Sequence, residues 1–226
     1  VNVNPAYREH ELSYVIEQSG MRWLVSAIQH KTSNYRAMVE KVRPRIETLE
    51  EVVFIGDESW EALVAASDEV DAAALAARQG ELDADDPINI QYTSGTTGFP
   101  KGVMLSHRNI RVGAISVADY LGLAEDDRLL SVLPYSFDAG LNQLTTMLLT
   151  GGTIVHQPLT MPAEIVRMAA AEAVTGIAGV PPLWNQIVRL LDERPTPLPS
   201  LRRITNTGGK IPPNILELLP KVFPGV

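Results

Sequence analysis

The chain has 226 residues, of which 45% are hydrophobic and 20% charged, and it contains no cysteine. This length and apolar content can bury a sizeable core and exclude a disordered chain, while the lack of cysteine excludes disulfides, cysteine-bound metals and a cysteine nucleophile. The net charge is −8, without the clustered basic residues that a nucleic-acid-binding surface needs, and no apolar run is long enough to predict a membrane span.

Short helices and strands are predicted in alternation from the start of the chain. Leu12, Val15 and Ile16 fall on one helix face and Gly20 follows them, which predicts a short amphipathic helix over residues 9–19. The next predicted elements are a strand over 22–26, a helix over 34–43 and a β-branched strand over 52–55.

An acidic, alanine-rich segment follows at residues 57–86. It contains ten acidic residues and one basic residue, Arg78, so its net charge is −9 and the rest of the chain is close to neutral, at about +1. We predict a solvent-exposed helix and connector here rather than a partner-binding tail, because a run of charge is in most proteins a solvated face.

Beyond this segment the alternation continues. Strands are predicted over 88–92, 129–133, 153–156, 174–178 and 203–207, and helices over 106–121, 141–149, 162–172, 182–192 and from Pro212 onward. The 141–149 helix is apolar on most sides and is expected to be buried. This order predicts an α/β fold of layered, mostly parallel sheets flanked by helices, in which ligands bind beyond the carboxyl ends of strands.

The most informative turn lies after the 88–92 strand. Residues 93–102 read Thr-Ser-Gly-Thr-Thr-Gly-Phe-Pro-Lys-Gly and combine four hydroxyl side chains, three glycines and Lys101. Glycines let backbone N–H groups approach a ligand, hydroxyls donate to phosphate oxygens and lysine adds a compact positive charge, which fits a polyphosphate cradle. A plain flexible loop is the alternative. A P-loop is disfavoured because two residues separate Gly98 from Lys101 and Gly102 follows the lysine.

The same run, continued by Val-Met-Leu-Ser-His-Arg-Asn at 103–109, resembles the AMP-binding signature of the adenylate-forming superfamily, which includes acyl-CoA synthetases and the adenylation domains of nonribosomal peptide synthetases. Segments 3–5 with 11–16, 180–182 and 207–209 are similar to further motifs of that superfamily. The resemblance covers essentially the whole chain and implies a partial adenylation domain over residues 1–226, belonging to the large N-terminal domain.

Several parts of the family's active site have no counterpart in the 226 residues. These are the later acidic motif for Mg²⁺, the ribose-binding aspartate and the mobile C-terminal domain with its catalytic lysine. We therefore expect the chain to be a piece of a longer protein and to turn over poorly by itself. No secretory signal is recognisable, and a cytoplasmic location is expected.

The resemblance implies that the loop after Thr93 binds the β- and γ-phosphates of ATP. Lys101 would be the catalytic residue that neutralises the leaving pyrophosphate, and Thr93 would contact Mg²⁺. Gly208 and Gly209 would form a backbone turn against adenine and the acyl group, with a plain strand-to-helix turn as the alternative. The remaining implied phosphate-binding positions are Ser94, Gly95, Thr96, Thr97 and Gly98.

The same comparison places the acyl pocket around residues 134–140. Phe137 stands where acyl-CoA synthetases have a histidine, and Asp138 matches the position at which amino-acid-activating domains pair with the ammonium group of their substrate. Asp138 is also expected to cap the helix beginning at Ala139, and the two roles are compatible. The other implied substrate-binding positions are Ala139, Asn142, Gly179, Thr205 and Thr207.

These residues lead to one main hypothesis and two alternatives. The main hypothesis is an ATP- and Mg²⁺-dependent acid–thiol ligase of fatty acid metabolism. It would convert a small-molecule carboxylate to an acyl-adenylate and then to a thioester with CoA or a pantetheine thiol, in the latter case with an acyl-carrier protein as partner. The alternatives are an amino-acid adenylation domain, suggested by Asp138, and a non-catalytic nucleotide-binding module, against which the intact Lys101 argues.

Overall fold

The computed structural model describes residues 1–93, 99–157 and 161–226. The chain divides into two units, Val1–Arg108 and Asn109–Val226. Each unit contains parallel strands flanked by helices, which confirms the predicted α/β class. Within the described ranges, every helix is too short or too polar to cross a membrane.

The first unit is built from short helices and two-stranded sheets. Its helices are α1 (Glu9–Ser19), α2 (Tyr35–Val42), α3 (Glu58–Ala65) and α4 (Ala72–Gly80), and 3-10 turns cover Arg43–Arg45 and Ala66–Glu69. Its strands are β1 (Trp23–Ala27), β2 (Gln29–His30), β3 (Ser33–Asn34), β4 (Glu51–Ile55), β5 (Pro87–Thr93) and β6 (Lys101–Ser106). Strands β1 and β4 pair in parallel, whereas β2–β3 and β5–β6 are antiparallel.

The core of the first unit lies against the β1–β4 pair. Val52 and Phe54 of β4 belong to one buried cluster with Leu12 and Ile16 of α1. Helix α1 ends at Gly20, as the sequence predicts, and the φ of 63° at this residue is a left-handed conformation that glycine adopts without a steric penalty.

The acidic segment is helical and exposed. Helices α3 and α4, with the 3-10 turn between them, occupy most of residues 57–86, and their side chains are largely in solvent. Helix α3 begins after Asp57, whose carboxylate accepts hydrogen bonds from the N–H groups of Ser59 (2.8 Å) and Trp60 (3.3 Å). The segment is therefore helical and solvent-exposed, and its role as a connector stays a prediction.

The second unit contains a four-stranded parallel sheet. Its strands are β7 (Arg128–Ser131), β8 (Thr153–His156), β9 (Gly176–Gly179) and β10 (Arg203–Asn206), in the order β10-β9-β7-β8. Its helices are α6 (Asp138–Thr150), α7 (Pro162–Ala171), α8 (Pro181–Glu193), α9 (Pro213–Leu216) and α10 (Leu219–Val222), and α5 (His107–Leu121) begins at the boundary between the units.

The core of the second unit is centred on α8. Its residues Trp184, Ile187, Val188 and Leu191 recur at helical spacing and are buried in one cluster with Ile177 of β9. Apolar positions on one face of α8 therefore fix this helix against the sheet.

Helix α6 differs from the prediction. Gln143, Thr146 and Met147 face the interior, whereas Leu148 is 73% exposed and Leu149 is also exposed. The expectation of a buried helix therefore holds for residues 141–147, which are buried or half-buried, and is wrong for Leu148 and Leu149. These two leucines are exposed because the face of α6 that packs inside carries Gln143, Thr146 and Met147.

Two other local predictions also differ. The sequence does not predict strand β6, because polar and apolar residues do not alternate in Lys101–Ser106. These residues form a strand by pairing with β5. The last predicted helix is two short helices, α9 and α10, and Pro220 in the first turn of α10 cannot continue a preceding helix because it lacks an N–H.

A buried carboxylate joins the starting ends of the strands in the second unit. One oxygen of Asp127 accepts hydrogen bonds from the Thr175 hydroxyl and from the guanidinium groups of Arg202 and Arg203, each at 2.7 Å. The other oxygen accepts from the N–H of Ala124 at 3.0 Å. These partners precede or begin β7, β9 and β10, so one side chain fixes where three strands start.

The same contacts keep Asp127 ionised. Burial by itself raises the pKa of the Asp127 carboxyl, but the hydrogen bonds from Thr175, Ala124 and Arg202 and the charge of Arg203 outweigh burial and hold the pKa below its ordinary value. The carboxylate therefore stays charged and paired at neutral pH.

We expect Asp127→Asn to lower the free energy of unfolding by about 3 kcal/mol, because it removes a buried negative charge that pairs with the partly exposed guanidinium groups of Arg202 and Arg203. Urea denaturation of wild type and variant measures this. The control is Asp126→Asn, whose carboxylate pairs with Arg202 at 65% exposure and should contribute less than about 1 kcal/mol. Equal losses in the two variants would contradict the assigned role of Asp127.

The difference in unfolding free energy between wild type and Asp127→Asn should become smaller as the pH falls into the acid range. Because the folded-state pKa of Asp127 lies below the ordinary 3.8, the carboxylate contributes its full stabilisation above pH 3.8. That contribution is lost as the pH falls through the folded-state pKa. Urea denaturation repeated from neutral to acidic pH should show the two proteins converging at the acid end, and a gap that widens on acidification would overturn the assignment.

Candidate active site

The signature loop closes the hairpin of β5 and β6. Thr93 and Lys101 are directly paired across the two strands, and the Thr93 hydroxyl donates to the Lys101 carbonyl oxygen at 3.5 Å. Both residues are exposed, and opposed residues of an antiparallel pair share a face. The hairpin thus presents a hydroxyl and a lysine at the same end. The predicted phosphate-binding residues Ser94, Gly95, Thr96, Thr97 and Gly98 lie outside the described residues.

The strand after Lys101 fits tightly because Gly102 has no side chain. A Cβ at Gly102 would lie 2.9 Å from Cγ2 of Ile90 and 3.1 Å from Cζ of Tyr92. The Tyr92 ring is buried and its hydroxyl donates to Oε1 of Gln18 in α1 at 2.7 Å. Glycine therefore allows the two strands to pair closely above a fixed tyrosine.

Helix α1 also holds the two residues that precede Lys101. The Phe99 ring packs against the rings of Tyr14 and His10, with centroid separations of 5.3 and 6.2 Å. The Tyr14 hydroxyl donates to the Pro100 carbonyl oxygen at 3.1 Å. Tyr14 lies within the 11–16 motif, but the motif by itself assigns this tyrosine no role.

In the second unit, predicted substrate residues lie at or beyond the carboxyl ends of β7, β9 and β10, where parallel sheets bind ligands. A cavity of about 550 Å³ is found there, a volume typical of small-molecule pockets. Asp138 is the one charged residue among the described residues that line it. The others are Val132, Leu133, Pro134, Phe137, Ala139, Val180, Pro182, Leu183, Gln186, Thr207 and Gly208.

A smaller cavity of about 150 Å³ lies between α6 and the same strands. Four of the predicted substrate-binding residues line it, and two of these, Ala139 and Thr207, also line the larger cavity. The four are Ala139, Asn142, Thr205 and Thr207. The structure therefore brings together residues that are far apart in sequence around two neighbouring cavities.

Asp138 begins α6 instead of capping it. Phe137 has the extended backbone of the N-cap position, and Asp138 is the first helical residue, so the predicted cap is wrong by one position. The Asp138 carboxylate accepts a hydrogen bond from the N–H of Ala139 at 2.7 Å. It is exposed in the first turn of α6, at the end of the helix whose dipole attracts negative charge.

The predicted adenine turn follows β10. Gly208 has a left-handed φ of 76° and lines the larger cavity, which explains the glycine at this position. The Asn206 side-chain amide donates to the Gly209 carbonyl oxygen at 2.7 Å, and the Thr207 N–H donates to the Gly179 carbonyl oxygen at 3.0 Å. These bonds fix the turn against the end of β9.

Gly179 lines neither of the two cavities. It is buried, and a Cβ there would lie 2.9 Å from the Trp184 ring. The Trp184 indole N–H donates to the Thr205 carbonyl oxygen at 3.1 Å. The glycine thus makes room for a tryptophan that holds Thr205 in place.

The described residues offer few ligands for a divalent cation. Mg²⁺ prefers oxygen atoms and is often held by one or two carboxylates together with substrate phosphates. Residues 1–93, 99–157 and 161–226 contain no group of three or more His, Asp or Glu side chains arranged to hold a metal. The exposed Thr93 hydroxyl fits a single contact to an ion that is carried mainly by nucleotide phosphates.

The sequence places the chain in a known family. The family model described as AMP-binding enzyme matches residues 1–226, and the chain belongs to this family. The chain is 29% identical, over 244 residues, to the mitochondrial medium-chain acyl-CoA ligase ACSF2 of Mus musculus; this match covers 97% of the chain and 40% of the ligase.

Solved structures share the fold. The inhibitor-bound N-terminal domain of FACL13 from Mycobacterium tuberculosis superposes with a TM-score of 0.81 at 23% identity, covering 97% of this chain and 52% of that one. VinN in complex with L-aspartate superposes with a TM-score of 0.78 at 25% identity, covering 99% and 53%. The chain therefore spans about half the length of these structures and two-fifths of the ligase.

The approach of α6 to the cavity depends on Gly140. A Cβ on this residue would lie 2.1 Å from the Pro134 carbonyl oxygen and 2.9 Å from the Leu133 carbonyl oxygen, and backbone atoms cannot rotate away. We expect Gly140→Ala to lower the free energy of unfolding by about 3 kcal/mol through overpacking. Urea denaturation followed by circular dichroism measures the loss.

The matched control is Gly80→Ala. Gly80 ends α4, and a Cβ there would have nothing within 4 Å. We expect this variant to be unchanged or up to about 1 kcal/mol more stable, because alanine lowers the conformational entropy of the unfolded chain. If Gly140→Ala were as stable as Gly80→Ala, the close packing assigned to Gly140 would be wrong.

Proposed function

We propose that this chain belongs to an enzyme that activates a carboxylate with ATP and transfers the acyl group to a thiol. In the first step a carboxylate oxygen attacks the α-phosphorus of ATP, the bond to the β-phosphate oxygen breaks, and pyrophosphate leaves. In the second step the thiol loses its proton, its sulfur attacks the carbonyl carbon of the acyl-adenylate, and AMP leaves with the bonding electrons. The observation that carries the proposal is the exposed Thr93–Lys101 pair at the end of the signature hairpin.

Lys101 is the residue we assign to the leaving pyrophosphate. Negative charge accumulates on the departing phosphates, and a fixed cation at that point stabilises the transition state more than the ground state. Thr93 would contact Mg²⁺, which supplies further charge neutralisation when bound, and residues 94–98 would donate to phosphate oxygens. Gly208 and Gly209 would lie against the adenine and the acyl group.

The acyl group is assigned to the cavity of about 550 Å³ in the second unit. Its lining is mostly apolar, so it favours the hydrocarbon part of a carboxylate by removing that part from water. This agrees with the similarity to a medium-chain acyl-CoA ligase. CoA is the proposed thiol acceptor, and the pantetheine thiol of an acyl-carrier protein is the alternative.

A second candidate function is the activation of an amino acid. Asp138 is the one charged residue among the described residues that line the larger cavity, and a carboxylate at that place would pair with the ammonium group of an amino acid. The similarity to VinN, whose structure was solved with L-aspartate, supports this alternative.

We expect Lys101→Ala to reduce ATP–pyrophosphate exchange by the complete protein by about 100-fold, because it removes one preorganised charge from the transition state. The control is Lys221→Ala, which removes an exposed lysine of α10 and should leave exchange unchanged. Exchange by Lys101→Ala at the wild-type rate would contradict the catalytic role. Undetectable exchange by the wild type, together with ATP affinity unchanged by Lys101→Ala, would favour a non-catalytic nucleotide-binding module.

Asp138→Asn removes the negative charge of this residue and keeps nearly the same side-chain volume. It therefore tests whether the substrate carries an ammonium group. If the substrate carries an ammonium group, we expect its KM in ATP–pyrophosphate exchange to rise by about 30-fold or more, because an ion pair is lost in a partly desolvated pocket. A fatty acid of equal length, measured in parallel, should keep its KM. An unchanged KM for every amino acid that the wild type accepts would exclude the ammonium contact.

A further inference from the structure

One face of α1 contacts the signature hairpin. His10, Tyr14 and Gln18 are spaced four residues apart and therefore share a face of the helix. The core of the unit uses a different set of α1 residues, which includes Leu12 and Ile16. The 10–14–18 face is therefore distinct from the α1 residues in the buried core, and it makes the hairpin contacts described below.

All three residues of this face contact the hairpin. The His10 ring lies against Phe99, and Gln18 accepts from the hydroxyl of Tyr92 in β5. Tyr14 contributes twice, since its ring packs on Phe99 and its hydroxyl donates to the Pro100 carbonyl oxygen at 3.1 Å. These contacts hold both strands of the hairpin where they flank the loop.

The position of Pro100 gives the Tyr14 hydrogen bond its importance. Proline has no N–H and a fixed φ, so its carbonyl is the only backbone group that can anchor this residue by hydrogen bonding. Lys101 follows directly, and its long flexible side chain must be ordered to place its charge at one point. When the backbone at residue 100 is fixed, less conformational entropy is lost as the Lys101 side chain becomes ordered.

We propose that Tyr14 is a positioning residue, which acts through Pro100 to place Lys101 against the phosphates of the nucleotide. This inference rests on the proposed function, because it takes Lys101 as the residue that meets those phosphates. Tyr14 itself does not contact the reacting atoms in this assignment.

The test is Tyr14→Phe in the complete protein, which keeps the ring against Phe99 and removes only the hydroxyl. The control is Tyr35→Phe, because the Tyr35 hydroxyl also donates to a proline carbonyl oxygen, that of Pro5, at the same distance of 3.1 Å. Tyr14 and Tyr35 are both half-buried, so the two variants lose the same kind of bond in the same unit.

Three measurements separate positioning from general stability. In ATP–pyrophosphate exchange, Tyr14→Phe should raise the KM for ATP and for pyrophosphate by on the order of threefold to tenfold, which is the size expected for one lost hydrogen bond. The KM for the carboxylate should be unchanged. ATP binding measured by calorimetry should weaken by a similar factor. Amide hydrogen exchange should become faster in residues 101–106, and Tyr35→Phe should change none of the three.

Several results would overturn the inference. Tyr14→Phe could match Tyr35→Phe in ATP affinity and in hydrogen exchange, or it could raise the KM of the carboxylate as much as that of ATP, which would indicate general loosening. Failure of the proposed function gives a different result, namely a wild-type protein that shows no exchange with any carboxylate. In that case calorimetry and hydrogen exchange still decide whether Tyr14 positions the hairpin for nucleotide binding.

Discussion

The buried carboxylate of Asp127 holds together the starting ends of three strands of the second unit. It accepts hydrogen bonds from Thr175, Arg202 and Arg203, which lie at the starts of β9 and β10, and it directly precedes β7. A buried charge is tolerated only when it is paired. The three partners must therefore all be in place around Asp127 in the folded unit. Fixing the starts of parallel strands also fixes the positions of their carboxyl ends, where the two cavities are found.

Close packing at glycine sets the geometry around both candidate binding regions. Gly140 lets α6 approach the backbone at Pro134 beside the larger cavity, and Gly102 lets β6 pair closely with β5 next to Lys101. In each case the space that a Cβ would need is occupied by backbone or by a rigid side chain. The glycines therefore matter for packing as well as for the conformational freedom that a phosphate-binding loop requires.

In the proposed function, each unit would contribute its own chemistry to carboxylate activation. The first presents Lys101 and Thr93 at the end of a hairpin that α1 supports, which suits the polyanionic part of a nucleotide. The second encloses a mostly apolar cavity with Asp138 in its lining, which suits an acyl group. The substrate class then depends on whether that carboxylate has an ammonium partner, and this one residue separates the main proposal from its alternative.

The sequence alone determined the order of the main helices and strands, the α/β class and the signature loop with Lys101, because these depend on local spacing and on a contiguous motif. It did not determine β6, the exposure of Leu148 or the start of α6 at Asp138, because pairing partners and the face turned to the sheet are set by contacts between distant segments. Only the tertiary structure joined Tyr14 to Pro100, 86 residues apart. The four-residue spacing of His10, Tyr14 and Gln18 is visible in the sequence. That this face of α1 contacts the β5–β6 hairpin is seen only in the folded chain.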